Sequence, residues 1–243
     1  MTDWGRDSYE VLNTIEVLKA NELNKKTLVI LSGGMDSATC LYIAKVLGSD
    51  VSAISFSYGQ KHYIEVNFAK ILTSNLRINH EVVKIDIASH FKTALGKDSH
   101  EIIPSTPTEG QVPATYVPFR NTIMLSIAAG YAESWGFDRI FYGANIIDYS
   151  GYPDCRPEYI KDLNTLIKTA SPNKTITIEA PILYLTKADV VKLGSVLGVP
   201  WEYTWSCYRG STTGVPCKAC PSCFYRAKGF EEAQIKDPLL KYE

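Results

Sequence analysis

The stretch SGGMDS, residues 32–37, lies between a short apolar run and a helical pattern. Glycine lets the backbone turn sharply and approach a ligand closely. The helix that starts here offers unpaired N–H groups to an anion. The pattern therefore predicts a phosphate site at a strand–helix junction. The alternative is a plain glycine-rich turn in which Asp36 caps the helix. The Walker A pattern is absent, which argues against γ-phosphoryl transfer.

SGGMDS contains no lysine, and Lys187 is the candidate for the missing cation. The stretch TKAD, residues 186–189, predicts a helix start in which Thr186 and Asp189 approximate a capping box. A lysine at a helix N-terminus opposes the helix dipole, so a nearby phosphate would explain it. The alternative is a solvated surface lysine.

Cysteines crowd near the C-terminus at the spacing C-x9-C-x2-C-x2-C, formed by Cys207, Cys217, Cys220 and Cys223. Four thiolates form a closed, structural zinc site, so we expect a zinc clip and not a catalytic metal. Free thiols or disulfides are the alternative. Basic residues in this region indicate either a solvated face or a nucleic-acid contact: Arg209, Lys218, Arg226 and Lys228.

Two further stretches have unusual compositions. ATYVPFRN, residues 114–121, ends a loop rich in Pro, Thr and Gly that we predict over residues 96–117. GANIIDYSGYPDCRPEY, residues 143–159, gathers acids, an arginine and three tyrosines in one loop. Such a loop can stack a flat heterocycle and hydrogen-bond its edges. Cys155 has no predicted base beside it, so a nucleophilic role is not expected.

Alternating strands and helices must position these residues. Strands are predicted over residues 27–31, 51–59, 81–87, 139–145 and 175–182, with helices between them and another over residues 8–20. This order predicts an α/β fold with a parallel five-stranded sheet flanked by helices. Ligands of such sheets bind beyond the carboxyl ends of the strands, where the stretches above fall.

Composition excludes several classes of protein. The chain has 243 residues, 45% of them hydrophobic, and a formal net charge of -1. These values suit one α/β domain with a small appendage and give no broadly basic surface for nucleic acid. We expect no transmembrane span, no secretory signal and a reducing, cytoplasmic setting. The expected organisation is an N-terminal helical extension (1–26), a nucleotide domain (27–200) and a zinc-binding segment (201–243).

SGGMDS resembles the PP-loop, SGGxDS, of the N-type ATP pyrophosphatases. The resemblance implies an adenine nucleotide α-hydrolase-like fold that cleaves ATP between the α and β phosphates and transfers AMP to a substrate oxygen. It also implies that Asp36 shares a Mg²⁺ ion that accompanies ATP. The nucleotide contacts implied are Leu31, Ser32, Gly33, Gly34, Met35, Asp36, Ser37, Ala38, Thr39, Cys40, Leu41, Tyr58 and Gln60.

SGGMDS, SYGQKH, DYSGYPDCRPE and the four cysteines together resemble the 7-cyano-7-deazaguanine synthases, from about Lys26 to Pro238. That family is a group of ligases of queuosine biosynthesis. The resemblance implies conversion of 7-carboxy-7-deazaguanine, ammonia and ATP to the nitrile by adenylation, through an amide, in a homodimer. Asp36, Arg120 and Lys187 would serve catalysis. The substrate contacts implied are Arg120, Asn121, Tyr149, Tyr152, Asp154, Arg156 and Glu158.

Several alternatives remain open on sequence. Arg120 could form a helix-start salt bridge, the charged loop residues could order the loop as ion pairs, and the tyrosines could simply pack. A PP-loop homologue could transfer the deazapurine group to another acceptor, or the chain could be a non-enzymatic zinc-ribbon module. Phe119 stands where the family commonly has a small residue, and we expect it at the substrate pocket.

Overall fold

A parallel five-stranded sheet is the centre of the fold. The computed structural model describes residues 3–21, 25–48, 50–60, 64–96, 99–103, 105, 112–146, 152–172, 175–211 and 213–240. The strands are β1 (Lys26–Ile30), β2 (Asp50–Ser57), β3 (Asn79–Lys84), β4 (Arg139–Phe141) and β5 (Thr177–Glu179). They pair in the order β3-β2-β1-β4-β5, and every neighbouring pair is parallel. The predicted fold class is confirmed.

Helices alternate with the strands as the sequence predicts. They are α1 (Ser8–Asn21), α2 (Met35–Val46), α3 (Ile64–Leu76), α4 (Arg120–Trp135), α5 (Pro157–Ala170), α6 (Lys187–Leu197) and α7 (Pro221–Glu232). Short 3₁₀ turns lie at Pro153–Cys155, Trp201–Tyr203 and Pro238–Leu240. No helix among the described residues is long and apolar enough to cross a membrane.

Two apolar cores lie on opposite faces of the sheet. Successive strand residues point to opposite faces, so Val29 of β1 belongs to one core and Leu28 to the other. The first core contains α1, α2 and α6, and the second contains α4 and α5. Trp4, Val11 and Ile15 from the N-terminal segment are buried in the first core. The segment before β1 therefore packs as part of the main fold.

Some strands end earlier than predicted. The strand predicted to reach Asn145 ends at Phe141, because the backbone turns there and the N–H of Ala144 donates to the carbonyl of Tyr142 at 2.9 Å. The amide of Asn145 donates instead to the carbonyls of Ile182 and Leu185. It thereby joins the loop after β4 to the loop after β5.

The strand order places the site. The chain runs from β1 outward to β3 on one side and then continues with β4 and β5 on the other. The loops after β1 and β4 therefore diverge, and they leave a crevice between them at the carboxyl ends of the strands.

Candidate active site

The loop after β1 is held in place by its own hydroxyl groups. The side-chain oxygens of Ser32 and Ser37 lie 3.0 Å apart, and Ser37 Oγ donates to the carbonyl of Gly34 at 3.2 Å. Gly34 is the N-cap of α2 and has no side chain to cap the helix, so the first-turn N–H groups are available to an anion. Asp36 lies inside the first turn, so the alternative that it is the N-cap is wrong.

Gly33 is clamped between two parts of the chain. It adopts φ +84°, which favours glycine, and a side chain here would overlap the backbone of Glu65 in α3. Its carbonyl accepts a hydrogen bond from the N–H of Trp205 at 2.8 Å. Trp205 is buried and stacks on Phe68 of α3, with ring centroids 5.5 Å apart. The segment before Cys207 therefore supports the loop directly.

Lys187 reaches the same loop from α6. Its Nζ donates to both carboxylate oxygens of Asp36, at 2.7 and 2.6 Å. The predicted capping box is present: Thr186 Oγ1 accepts from the N–H of Asp189 at 3.1 Å, and the Asp189 carboxylate accepts from the N–H of Thr186 at 3.4 Å. This box fixes the start of the helix that carries Lys187.

A cavity of about 650 Å³ opens beside the loop. Its volume lies in the usual range for small-molecule sites. Predicted site residues that line it are Leu31, Ser32, Gly34, Met35, Asp36, Ser37, Tyr58, Arg120, Asn121, Tyr152 and Lys187. Residues 112–115, from the long loop before α4, line it as well. The structure thus brings together residues from five separate stretches of the sequence.

Arg120, the first residue of α4, is a second cation that lines the cavity. Its guanidinium donates to the hydroxyl of Tyr58 at 3.4 Å and lies 5.7 Å from the centre of that ring. Burial disfavours its charge, but the hydroxyls of Tyr58, Tyr152 and Tyr208 outweigh burial and raise the Arg120 pKa. Burial also raises the pKa of Tyr58 to about 12. Arg120 is therefore a fixed cation beside a neutral phenol.

Some cavity residues were not predicted from the sequence. They are Glu65, Tyr142, Asn145, Trp205 and Tyr208 among others. Trp205 and Tyr208 lie on either side of Cys207 in the stretch WSCY, where the cysteine pattern drew attention away from the aromatic residues. Glu65 lies three residues after the stretch SYGQKH, so its proximity to that stretch was a signal that could have identified it. Predicted Gln60 does not line the cavity, but its amide donates to Glu65 Oε1 at 3.0 Å and so orients that carboxyl group.

Cys155 lines the cavity, whereas its neighbour Asp154 is buried beside it and does not line the cavity. Asp154 is buried, and its Oδ1 has no hydrogen-bond partner among the described residues. Burial raises the pKa of Asp154, although Arg120 opposes that effect. Cys155 lines the cavity near the hydroxyl of Tyr142, and burial raises its pKa to about 11. A neutral thiol is a weak nucleophile, as expected from the sequence.

Other predicted residues do not reach the cavity. Ala38, Thr39, Cys40 and Leu41 are fully buried along α2, where their side chains form core. Only the first turn of a helix has unpaired N–H groups, and these four residues do not line the cavity. Their role as nucleotide contacts stays a prediction.

The charged pair Arg156 and Glu158 is exposed at the start of α5 and does not line the cavity. Tyr149 lies outside the described residues. The expectation for Phe119 is wrong: its side chain is 68% exposed and does not line the cavity, although its φ of 53° is unusual for a bulky residue.

The four cysteines meet at one point. Their sulfur atoms all lie within 4.8 Å of one another, and Cys220 and Cys223 Sγ are 3.5 Å apart. Ligands of a tetrahedral zinc site with Zn–S bonds of about 2.3 Å lie roughly 3.8 Å apart. Disulfide sulfurs would be only about 2 Å apart, so the disulfide alternative is wrong. The donor set therefore fits a thiolate-bound metal ion.

Three of the nearby basic residues contact other groups of the same fold. Arg209 donates to the carbonyl of Ala219 at 2.7 Å, and buried Arg226 pairs with Asp237 at 2.7 Å. Lys228 lies 3.9 Å from Glu232 one turn along α7. These contacts argue against a basic face prepared for nucleic acid.

A family model described as queuosine biosynthesis protein QueC matches residues 26–234. This chain belongs to the QueC family. It is 49% identical over 225 residues to 7-cyano-7-deazaguanine synthase of Thermoplasma acidophilum, covering 90% of this chain and 92% of that protein. It is 46% identical over 219 residues to 7-cyano-7-deazaguanine synthase of Coxiella burnetii (strain RSA 331 / Henzerling II), covering 88% and 96%.

Among solved structures, NMN synthetase from Francisella tularensis is similar over 94% of this chain and 95% of that chain, with TM-score 0.48 and 14% identity. A likeness of this size carries no functional information. The QueC match contains every residue that lines the cavity and all four cysteines, whereas α1 lies before it. The helix before β1 is therefore an addition to the matched region that packs into its core.

Proposed function

We propose that this chain catalyses the ATP-dependent conversion of 7-carboxy-7-deazaguanine and ammonia to 7-cyano-7-deazaguanine. One observation carries the proposal: in a chain of the QueC family, one cavity joins the loop after β1 to the cluster around Arg120. ATP and a carboxylate substrate bound there would meet inside the same enclosed space. Two rounds of adenylation would give first the amide and then the nitrile.

ATP binding falls to the loop after β1. The hydroxyls of Ser32 and Ser37 and the first-turn N–H groups of α2 suit the phosphates that leave as diphosphate. Lys187 stabilises the charge that develops on this leaving group, since it already lies at the loop. Asp36 is the carboxylate suited to share Mg²⁺, which neutralises phosphate charge when bound with ATP.

Substrate binding falls to the Arg120 cluster. A planar guanidinium suits both a carboxylate and its adenylate, and Arg120 is fixed beside Tyr58. The ring of Tyr152, whose hydroxyl lies 2.8 Å from Thr115 Oγ1, suits stacking on a flat heterocycle. Asp154 is the candidate acceptor for an N–H group of the guanine-like edge: it is buried next to the cavity residue Cys155, and its Oδ1 has no partner among the described residues.

The reaction needs positioning more than a protein nucleophile. A substrate carboxylate oxygen attacks the α phosphorus, diphosphate leaves, and the resulting acyl adenylate gives AMP as a leaving group. Ammonia displaces AMP to form the amide. The amide oxygen then attacks the α phosphorus of a second ATP, diphosphate leaves, and loss of AMP and of both protons from the nitrogen gives the nitrile. Holding the reactants together in one cavity supplies much of the rate enhancement.

Three further assignments follow from the residues and the family. The ion held by the cysteines is Zn²⁺ in a closed structural site, because four thiolates leave no open position. The active form is a homodimer, as the resemblance implies. The enzyme works in the cytoplasm, with ammonia that is free or delivered by a partner protein.

The test is a direct assay of the zinc-replete protein with 7-carboxy-7-deazaguanine, ammonium and magnesium-ATP, read by mass spectrometry. We expect the nitrile together with AMP and diphosphate. Amide that accumulates without nitrile would indicate transfer chemistry to another acceptor. Absence of substrate-dependent AMP would overturn the proposal and favour a non-catalytic binding protein. The matched control is Arg120→Ala, which should retain ATP binding and lose substrate-dependent AMP.

A further inference from the structure

We infer that Glu65 binds the ammonium ion and accepts a proton from its nitrogen when the adenylate is aminated. This inference rests on the proposed function, because it assigns a residue to the amination step of that reaction. Glu65 is not part of the loop after β1 or of the tyrosine-rich loop after β4. The proposed function assigns Glu65 no contact with ATP or with the heterocycle.

Glu65 is held at the cavity by a defined contact. It lies in the first turn of α3 and lines the cavity together with Tyr58 and Arg120. Gln60 donates to its Oε1 at 3.0 Å, and Gln60 Oε1 in turn accepts from the N–H of Tyr58 at 2.7 Å. One carboxyl oxygen is therefore oriented by the fold, and the second carboxyl oxygen remains for a ligand in the cavity.

The electrostatics of this position suit a proton acceptor. Burial raises the pKa of Glu65 to about 7, even though the Gln60 hydrogen bond and nearby Arg120 lower it. Carboxylates at a helix N-terminus are normally stabilised in the ionised form, so burial dominates here. A base that titrates near the working pH combines a populated ionised form with useful proton affinity.

The step balances with ammonium as the nitrogen source. Ionised Glu65 accepts one proton from ammonium, and the freed lone pair of nitrogen forms a bond to the adenylate carbonyl carbon. The bond from that carbon to the AMP oxygen breaks, and its electron pair leaves with AMP. The second proton lost by nitrogen passes to solvent, and the product is the neutral amide.

A magnesium ligand is the main competing role, and the charges disfavour it. Mg²⁺ prefers fully ionised carboxylates, and Asp36 already lies within the phosphate loop. The guanidinium of Arg120 exerts a direct electrostatic effect on Glu65, and a divalent cation would be repelled there. A monovalent ammonium ion, which also loses its charge during the reaction, is repelled less by Arg120 than a divalent cation would be.

The test compares Glu65→Gln with the wild type in three assays. Gln can still accept from Gln60, so the local hydrogen bond survives while the base is lost. In a single turnover we expect substrate-dependent diphosphate release within about twofold of wild type, and amide formation at fixed ammonium slower by at least about tenfold, a modest loss for a general base. Synthetic amide supplied with ATP should still give nitrile within about twofold.

Matched variants keep each outcome decisive. Glu65→Asp should recover part of the amide formation, and exposed Glu101→Gln should behave as wild type. An unchanged ammonium dependence in Glu65→Gln would overturn the inference. Loss of diphosphate release or of amide conversion in a variant with a wild-type melting curve would also overturn it and assign Glu65 to ATP or its metal ion. A wild type that never forms AMP would instead overturn the proposed function.

Discussion

Lys187 and Asp36 lie 151 residues apart in the sequence and form a two-pronged ion pair at the edge of the cavity. The side chains are only 15% and 31% exposed. The Asp36 carboxylate holds the Lys187 side-chain ammonium group close to the N-terminus of α2, and both side chains line the cavity. The Lys187 charge is therefore positioned to bind a phosphate group in the cavity. Each partner therefore depends on the other for its position.

Replacing Lys187 with Ala should lower the rate of substrate-dependent diphosphate release by roughly 10²- to 10³-fold, the usual cost of removing one charge-stabilising donor. Asp36 would also lose the cation that positions it. The measurement is a steady-state diphosphate assay. Exposed Lys192→Ala in the same helix is the control and should keep the wild-type rate. A Lys187→Ala rate close to wild type would show that the pair is only structural.

The N-terminal segment should contribute strongly to stability. Trp4 is 5% exposed, packs edge-on against Phe141 with ring centroids 5.5 Å apart, and donates from Nε1 to Glu179 at 3.1 Å. Trp4→Ala should lower the free energy of unfolding by about 3–5 kcal/mol, as for other buried aromatic truncations. Urea unfolding gives the value. Tyr9→Ala, at a side chain 78% exposed, should change it by less than about 0.5 kcal/mol.

Two ion pairs of α7 should differ sharply in strength. Arg226 and Asp237 are both buried and share two hydrogen bonds, at 2.7 and 2.8 Å. Asp237→Asn should therefore lower the free energy of unfolding by about 3–5 kcal/mol, because it leaves a buried cation unpaired. Glu232→Gln, which breaks the exposed pair with Lys228, should cost at most about 1 kcal/mol. Equal losses in the two variants would contradict this assignment.

Acidification should destabilise the fold through His80. Its Nε2 lies 2.7 Å from Ser55 Oγ and its Nδ1 lies 3.3 Å from Thr73 Oγ1. Burial, with a smaller effect of Lys70, lowers the His80 pKa from 6.5 to about 4. Between these values the unfolded chain binds more protons than the native state, so stability falls as pH falls from about 6.5 to about 4.

The measurement is urea unfolding of the wild type and His80→Gln at several pH values in this range. The free energy of unfolding of the wild type, relative to the variant, should shrink on acidification, because Gln does not titrate. Exposed His90→Gln should follow the wild-type pH dependence. A pH-independent difference between wild type and His80→Gln would indicate that the pKa of His80 is the same in the folded and the unfolded chain, which would contradict the prediction.

Removal of the metal should weaken ATP binding as well as lower the melting temperature. Cys207 follows Trp205 by two residues, and the N–H of Trp205 donates to the carbonyl of Gly33. Loss of this hydrogen bond, worth about 1 kcal/mol, would weaken ATP binding several-fold. Calorimetric titration of chelator-treated protein with ATP tests this, and added Zn²⁺ should restore affinity. Unchanged ATP affinity in the metal-free protein would mean that the loop holds its shape without the cysteine segment.

Local patterns in the sequence predicted the features that depend on neighbouring residues. The turn at SGGMDS, the capping box of Thr186 and Asp189 and the convergence of the four cysteines each follow from types and spacing within a short stretch. The nucleotide contacts predicted from the same stretch extend along α2 to Leu41, where the side chains from Ala38 onward are buried. Only first-turn N–H groups are unpaired, and the core takes the residues beyond them.

Long-range contacts were harder to predict. Glu65, Trp205 and Tyr208 reach the cavity because the strand order brings their segments to one edge of the sheet, and no short pattern encodes that order. Arg156 and Glu158 carry suitable chemistry, but Pro157 starts α5 between them and both point outward. Residue type alone did not distinguish an inward from an outward side chain.

The contact between Trp205 and Gly33 also bears on how the protein is made. The loop after β1 leaves the ribosome early, whereas Lys187, Trp205 and the cysteines are translated later. An unfinished chain therefore contains this loop without the Lys187 and Trp205 contacts that it has in the complete fold. The loop can gain its full set of contacts only after the C-terminal segment has been translated and has packed against Gly33.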